Sequence, residues 1–374
     1  MARIYIHERM DWPKFRWDAK GLAPLLSGVR LRQGLLLGKM QSYGFASRWT
    51  ATLKVLTEET IKSSAIEGVV LDPDSVRSSI AQKLGLDVAG LKEHKDRNVD
   101  GVVEMMLDAT QQFSKPLTKE RLFDWHAHLL PGVRTTADKF RVGAWRKDSQ
   151  GSMRVISGPV GKSKIHFVAP AAARLETEMG KFLKWFESNE QEDPLLKAGI
   201  AHLWFVTIHP FEDGNGRIGR AIAELCLARS DRSVQRFYSM SSQILEERKN
   251  YYEVLEKTQS GSRDITEWLT WFLECLDRAI EQSNRITSSA LEKESFWLNL
   301  KEKNVTLNAR QMKVLNKLFG GFEGKLTRGK WMKLTKASSR TALRDIEGLI
   351  GLGVLEQEEA GGRSTSYRLK KVAK

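Results

Sequence analysis

Apolar residues recur at helical spacing along most of this chain, and only a few short stretches read as strands. Ile4-Tyr5-Ile6, Trp12-Pro13 and Trp17 form an aromatic opening around a proline turn. Leu22, Leu25, Leu26, Val29 and Leu31 then mark an apolar helix face. Residues 57–71, TEETIKSSAIEGVVL, read as a helix with acidic residues early and Gly68 at its end. Two further helical patterns, VVEMMLDATQQF and KERLFDWHAHLL, are divided by Lys115-Pro116, and His126 and His128 fall on the second as structural residues. After FRVGAWR (Phe140 to Arg146), Arg154–Ser157 and Lys164–Val168 read as a hairpin around Gly158 to Gly161. Asp193-Pro194 supplies an N-cap and a first-turn proline to a helix through Leu195, Leu196, Ile200, Leu203, Trp204 and Ile208. A second apolar helix starts at Ile218, Ile222, Leu225 and Leu227, and another from Ile265 to Ile280 closes the core.

Beyond it, a charged helix around Ile286 to Lys303 leads to three short helices, Leu307 to Phe319, Thr327 to Lys333 and Ser338 to Ile350. Val354-Leu355 and Tyr367-Arg368-Leu369 follow as two strands around Ala360 to Arg363. Helices and hairpin in that order predict a winged helix-turn-helix. In its third helix Leu343, Ile346, Leu349 and Ile350 face inward, while Ser339, Arg340, Thr341 and Arg344 face out, a mix suited to duplex DNA. Glu356, Glu358 and Glu359 on the first strand would repel a duplex, so a protein-docking or dimerising role stays open.

Composition narrows the field. A chain of 374 residues is long enough for two or three domains. Its 41% hydrophobic content and mean hydropathy of −0.39 fit a soluble globular protein. No run approaches the ~18 apolar residues of a membrane span, and the charged N-terminus does not read as a signal peptide. Cys226 and Cys275 lie on apolar helix patterns, as small core residues in a reducing compartment, so the cytoplasm is expected. The net charge of +14 is uneven: from Lys301 to Lys374, 17 Lys and Arg face 7 Asp and Glu, a net +10. That points to an anionic partner for the C-terminal piece.

The chemistry gathers in His209-Pro210-Phe211-Glu212-Asp213-Gly214-Asn215-Gly216-Arg217-Ile218-Gly219-Arg220. The pattern predicts a tight, glycine-permitted turn between two buried helices, ending on a helix N-terminus. Free backbone N–H groups and the positive end of the dipole make that an anion site, and two arginines add forked donors suited to phosphate. A base, a metal-competent carboxylate and a phosphate cradle suggest chemistry on a nucleoside polyphosphate. Gly214-x-Gly216-x-x-Gly219 also satisfies a dinucleotide fingerprint, but a helix rather than a strand precedes it. His202, His209 and Asp213 as metal ligands form a third reading, in which mid-helix His202 reads better as a packed core residue.

At every fixed position the twelve residues match H-x-F-x-[DE]-G-N-[GK]-R-x-x-R, and the chain thereby resembles the Fic family, known for transferring AMP from ATP to protein hydroxyls. Ser63-x-x-x-Glu67-Gly68 is similar to that family's inhibitory-helix pattern, [ST]-x-x-x-E-[GN]. The resemblance implies a mainly α fold: a Fic-type helical core (101–285) with a β-hairpin flap, preceded by a helical extension (1–100) with an inhibitory helix (57–68). The winged helix-turn-helix and its linker take 286–374.

It further implies His209 as the base that deprotonates the target hydroxyl, with Phe211 anchoring the loop. Asp213 would hold Mg²⁺, Gly214, Asn215, Gly216 and Arg217 would cradle the phosphates, and Arg220 would hold the γ-phosphate. Glu67, beside Ser63, would occupy Arg220 and so inhibit. Tyr251 and Tyr252 would wall the adenine pocket. The 153–168 flap would hold the target segment by strand addition and present its Tyr, Ser or Thr hydroxyl. A glycine at 216, where some relatives carry lysine, favours nucleotidyl transfer over phosphorylation. Removal of AMP by the same site and a nucleotide-sensing, DNA-binding regulator are the alternative functions. A homodimer is left open, and no membrane partner is expected.

Overall fold

Capping residues fix most helix starts. Asp18 accepts from the Gly21 N–H and opens α1 (Ala19–Gln41), and α2 (Phe45–Ile66) follows Gly44. Asp72 with Pro73 opens α3 (Pro73–Lys83), Asp96 opens α4 (Arg97–Gln111) and Thr118 opens α5 (Lys119–Leu129), each by a side-chain oxygen on a first-turn amide. The hairpin β1 (Arg154–Ser157) and β2 (Lys164–Val168) precedes α6 (Leu175–Phe186). Asp193 and Pro194 then start α7 (Pro194–Ile208), followed by α8 (Asn215–Asp231). Ser239 caps α9 (Met240–Glu246), and α10 (Arg248–Gln259) and α11 (Thr266–Glu302) complete the run. The computed structural model describes residues 4–86, 96–132, 141–148, 151–158, 164–188, 192–319, 322, 324–358 and 365–370, apart from the side chains of 286–295 and 298.

Met1–Asn284 and Arg285–Lys374 form two units. In the first, α7 is the axis: Leu195, Ile200, Leu203, Phe205 and Ile208 are fully or almost fully buried. Two glycines let its neighbours come close. A Cβ on Gly199 would meet Phe272 at 3.1 Å, and one on Gly219 would lie 2.7 Å from Val206 Cγ1. The extension packs into the same core through Leu22, Val29, Leu36, Leu53 and Leu56. On α1 the inward face runs Leu22, Val29, Gln33, Leu36 and Met40, whereas Leu31, expected inside, is 64% exposed. Gln33 takes an inward place because its amide donates to Asp231 at 2.6 Å. Among the described residues no helix is long and apolar enough to cross a membrane.

The second unit contains α12 (Ala309–Phe319), β3 (Leu326–Thr327), α13 (Arg328–Thr335), α14 (Ser339–Gly351), β4 (Leu355–Gln357) and β5 (Ser366–Leu369). Its core gathers Val314, Leu315, Trp331, Ile346 and Leu349. The sheet is antiparallel with order β3-β5-β4, pairing Leu326 with Tyr367 and Leu355 with Leu369. Two strands were expected here and three are present, since a two-residue strand is too short to show an alternating pattern. Phe140, the flap turn from 159 to 163 and the 359–364 segment, with Glu359, lie outside the described residues.

Candidate functional site

His209 closes α7 in the left-handed region, at φ 51° and ψ 58°, where helices usually place glycine. For a side chain with a Cβ that costs about 1–2 kcal/mol, and the surroundings hold it there. The His209 N–H donates to Phe205 O at 3.0 Å. Arg146, 2% exposed, donates through Nε to His209 O at 2.8 Å and through its backbone N–H to Pro210 O at 2.9 Å. The imidazole Nδ1 donates to Val206 O at 3.3 Å, which fixes the tautomer and leaves the Nε2 lone pair available. Burial pushes the imidazole down to about 4, so it is neutral at pH 7.

The turn that follows is tied from within. Phe211 is fully buried and stacks on His126 with centroids 4.1 Å apart. Asn215 clasps it, accepting the Phe211 N–H at 3.0 Å and donating to Phe211 O at 2.8 Å. Gly214, at φ 79°, reverses the chain into α8, whose start has no side-chain cap. The helix thus presents its amides and dipole at the loop. Arg217 is buried, and among the described residues its Nε has no partner; its Nη2 lies 3.6 Å from Asp213, whose side chain is 61% exposed. A buried, unpaired guanidinium donor beside an uncapped helix start is arranged for an anion.

One anion is already present. The last carbonyls of α2 can be accounted for one by one. Gly68, at φ 80°, and Val69 donate to Ala65 O at 3.0 Å and Ser64 O at 3.0 Å, which is a Schellman cap with Glu67 at the C-cap. Ser63 O accepts from Arg220 Nη2 at 2.7 Å, and Ile66 O from Arg248 Nε at 2.8 Å. The cap delivers the Glu67 carboxylate to Arg220, Oε1 to Nη1 at 2.8 Å, while Ser63 Oγ accepts from Arg220 Nε at 2.9 Å. Burial would raise the Glu67 carboxyl, but the Arg220 charge and hydrogen bond, with Arg217 behind them, hold it below the usual range. Burial disfavours the Arg220 charge, but Glu67, Tyr251 and Tyr252 together more than offset it, and the guanidinium is raised above its ordinary value. Further back, Glu59 fastens α2 to the start of α9, accepting from Ser239 Oγ at 2.7 Å and the Ser241 N–H at 2.9 Å.

The structure thus brings Ser63, Glu67, His209, Asp213, Gly214, Asn215, Gly216, Arg217 and Arg220 to one loop and one facing helix end. The two tyrosines divide. Tyr252 is 36% exposed and its hydroxyl donates to Glu67 Oε2 at 3.4 Å. Tyr251 is 2% exposed, its hydroxyl 2.9 Å from His202 Nε2 and its ring centroid 5.4 Å from that of Trp271. His202 is accordingly a core residue, pushed down to about 3 by burial. Among the described residues no three His, Cys, Asp or Glu are grouped to hold a metal.

Three contributors gave no sequence signal. His126 underpins Phe211 and accepts the Gly143 N–H at 3.0 Å. Arg146 and Arg248 both act on distant backbone carbonyls, and a carbonyl acceptor carries no residue-type signal. The hairpin has the expected bounds and pairs Arg154 with Val168 and Ser157 with Lys164, with a bulge between Val155 and Ile156. Ile156 and Ile165 are 57% and 40% exposed on it, and His166 ties it to α10 through Glu256 at 2.6 Å.

Residues 116–227 match the Fic/DOC family, and residues 5–86 match a domain of unknown function (DUF4172). The chain is similar to Protein adenylyltransferase Fic of Nematostella vectensis, 26% identical over 224 residues, which is 59% of this chain and 46% of that protein. The protein of the same name from Culex quinquefasciatus is 23% identical over 279 residues, 74% of this chain and 48% of its own. The chain therefore spans about half the length of the curated relatives it matches. The crystal structure of a Fic family protein from Desulfovibrio desulfuricans G20 aligns over 94% of this chain and 97% of its own, with TM-score 0.52 and 21% identity, which shows the fold. Residues 116–227 are thus similar to the Fic/DOC family and follow a segment similar to DUF4172, and the likeness to the curated adenylyltransferases is distant.

Proposed function

We propose that this protein transfers AMP from ATP to a hydroxyl of a target protein and that Glu67 holds it inactive. The observation that carries the reading is the uncapped start of α8, where Arg217 Nε is buried without a partner and a carboxylate already sits on Arg220. An anion site that its own chain fills is a site that phosphate would contest.

In the reaction, the triphosphate lies over Gly214 to Arg217, with Arg220 on the γ-phosphate once Glu67 has withdrawn. His209 Nε2 takes the proton from the target hydroxyl, whose oxygen bonds to the α-phosphorus. The bond from that phosphorus to the β-phosphate oxygen breaks, and pyrophosphate leaves. Asp213, exposed and at the mouth of the loop, is the carboxylate available to Mg²⁺. A single protein carboxylate suits this ion, which when bound would supply charge neutralisation. Placement and preorganised donors carry most of the rate, and the base adds on the order of 10²–10⁴. Of the two tyrosines, exposed Tyr252 rather than buried Tyr251 would meet the adenine. Glycine at 216 suits nucleotidyl transfer.

The test is ATP labelled in its α-phosphate. Glu67→Gly should gain covalent label over the parent, and the added substitution His209→Ala should remove it while nucleotide binding remains. Equal labelling of Glu67→Gly and the parent would sink the inhibitory role, and label that survives His209→Ala would sink the base.

A second reading concerns residues 285–374. Their helices and three-stranded sheet support a winged helix that binds duplex DNA. Two of the three acidic residues that would repel DNA are engaged: Glu356 with Arg368 at 2.6 Å and Glu358 with Lys325 at 3.3 Å. Ser339, Arg340 and Arg344 stay exposed on α14.

A further inference from the structure

We infer that Arg248 and Tyr252 are positioning residues for the inhibitory carboxylate, so that α10 forms the second half of the lock; this rests on the inhibitory reading of Glu67. The argument begins with the carbonyls at the end of α2. Helix ends leave four of them without intrahelical partners, and a helix whose last carbonyls are unpaired frays. Here Ser64 O and Ala65 O are satisfied by the chain's own Schellman amides, which act only while that turn stays formed. The other two are satisfied from outside, Ser63 O by Arg220 and Ile66 O by Arg248. Arg220 is the group the triphosphate would compete for. Arg248 is then the cation that keeps hold of the helix end independently of that competition, and a cation at a helix C-terminus also complements its dipole.

Tyr252 finishes the grip. Its hydroxyl is 3.4 Å from both Ile66 O and Glu67 Oε2, and Arg248 covers its ring with the guanidinium 5.3 Å from the centroid. Residues 248, 252 and 256 are spaced four apart and share one face of α10. At the far end of that face Glu256 holds His166 of the hairpin at 2.6 Å. A single helix face therefore meets the end of α2 and strand β2 of the hairpin. Ser63 and Arg220 set where the carboxylate can bind; Arg248 and Tyr252 set how long the helix end stays there.

The experiment uses the full chain with Arg248→Ala, Arg248→Lys and Tyr252→Phe, each with Glu67 and with Glu67→Gly. Hydrogen exchange without nucleotide should be at least tenfold faster at the amides of Glu67, Gly68 and Val69 in Arg248→Ala, with Arg248→Lys intermediate. AMP incorporation should rise at least threefold in Arg248→Ala and less in Tyr252→Phe. In the Glu67→Gly background Arg248→Ala should add nothing, because the lock has no bolt. Unchanged exchange overturns the proposal, and so does an equal effect of Arg248→Ala with and without Glu67. If Glu67→Gly incorporates no AMP at all, the transfer reading is what fails, and the exchange rates still decide whether α10 holds the helix end.

Discussion

Glu67 occupies the space above Gly216: a Cβ added to that glycine would lie 2.0 Å from Glu67 Oε1. The second residue of α8 thus has no side chain where an anion must approach the helix start. If triphosphate oxygens replace the carboxylate there, the same vacancy serves both. Gly216→Ala combined with Glu67→Gly should then lose at least tenfold in AMP incorporation relative to Glu67→Gly alone, since the methyl group stands where the phosphate comes in. Undiminished labelling would mean that the nucleotide does not approach Gly216.

The pH profile follows from His209. Its folded value of about 4 lies below the ordinary 6.5 because the ring is buried. Protonation, which stops it acting as a base, therefore occurs far below neutral. Glu67 is among the groups that raise this value, so its removal moves the limb further down. The kcat/KM of Glu67→Gly should accordingly stay flat from pH 8 to about 5.5. A fall centred near 6.5 would show an imidazole open to water.

Close approach of α7 and α8 makes a stability prediction. Gly219 lets Val206 sit against the α8 backbone, and a Cβ would come within 2.7 Å of its Cγ1. Both are on packed helices, so neither gives way easily. Gly219→Ala should destabilise by about 1–3 kcal/mol, the usual cost of overpacking, seen as a lower thermal midpoint. An unchanged midpoint would show that the pair can spread without loss.

What could be read from sequence is what is built from neighbours. The turn from His209 to Arg220 needs its imidazole, glycines and arginines contiguous, so its chemistry shows as a string. The Glu67-Gly68 pair is legible for the same reason, as a C-cap followed by a glycine at positive φ. Depth within a helix is not: Tyr251 and Tyr252 are adjacent in the chain, yet one is buried against His202 and the other faces Glu67. Nor is a side chain that serves a distant carbonyl. Arg146 acts 63 residues away on His209 O and Arg248 182 residues away on Ile66 O, and a carbonyl acceptor has no residue type to mark it.

The last prediction belongs to the C-terminal unit, where the excess positive charge lies. Attraction to DNA releases condensed counterions, so binding through this unit must weaken steeply with salt, by a slope of about −0.9 for each phosphate neutralised. Arg340 and Arg344 lie on the exposed side of α14, whose inner side is held by Ile346 and Leu349 in the core. Replacing either with alanine should leave the fold intact. Each replacement should also reduce the salt slope by roughly one if that arginine meets a phosphate. If one instead reads a base edge, its loss should relax sequence preference and cost about 1–3 kcal/mol. Anisotropy of a labelled duplex, titrated with the full chain from low to moderate salt, separates these cases. Absence of binding even at the lowest salt would show that the basic face serves some other anionic partner.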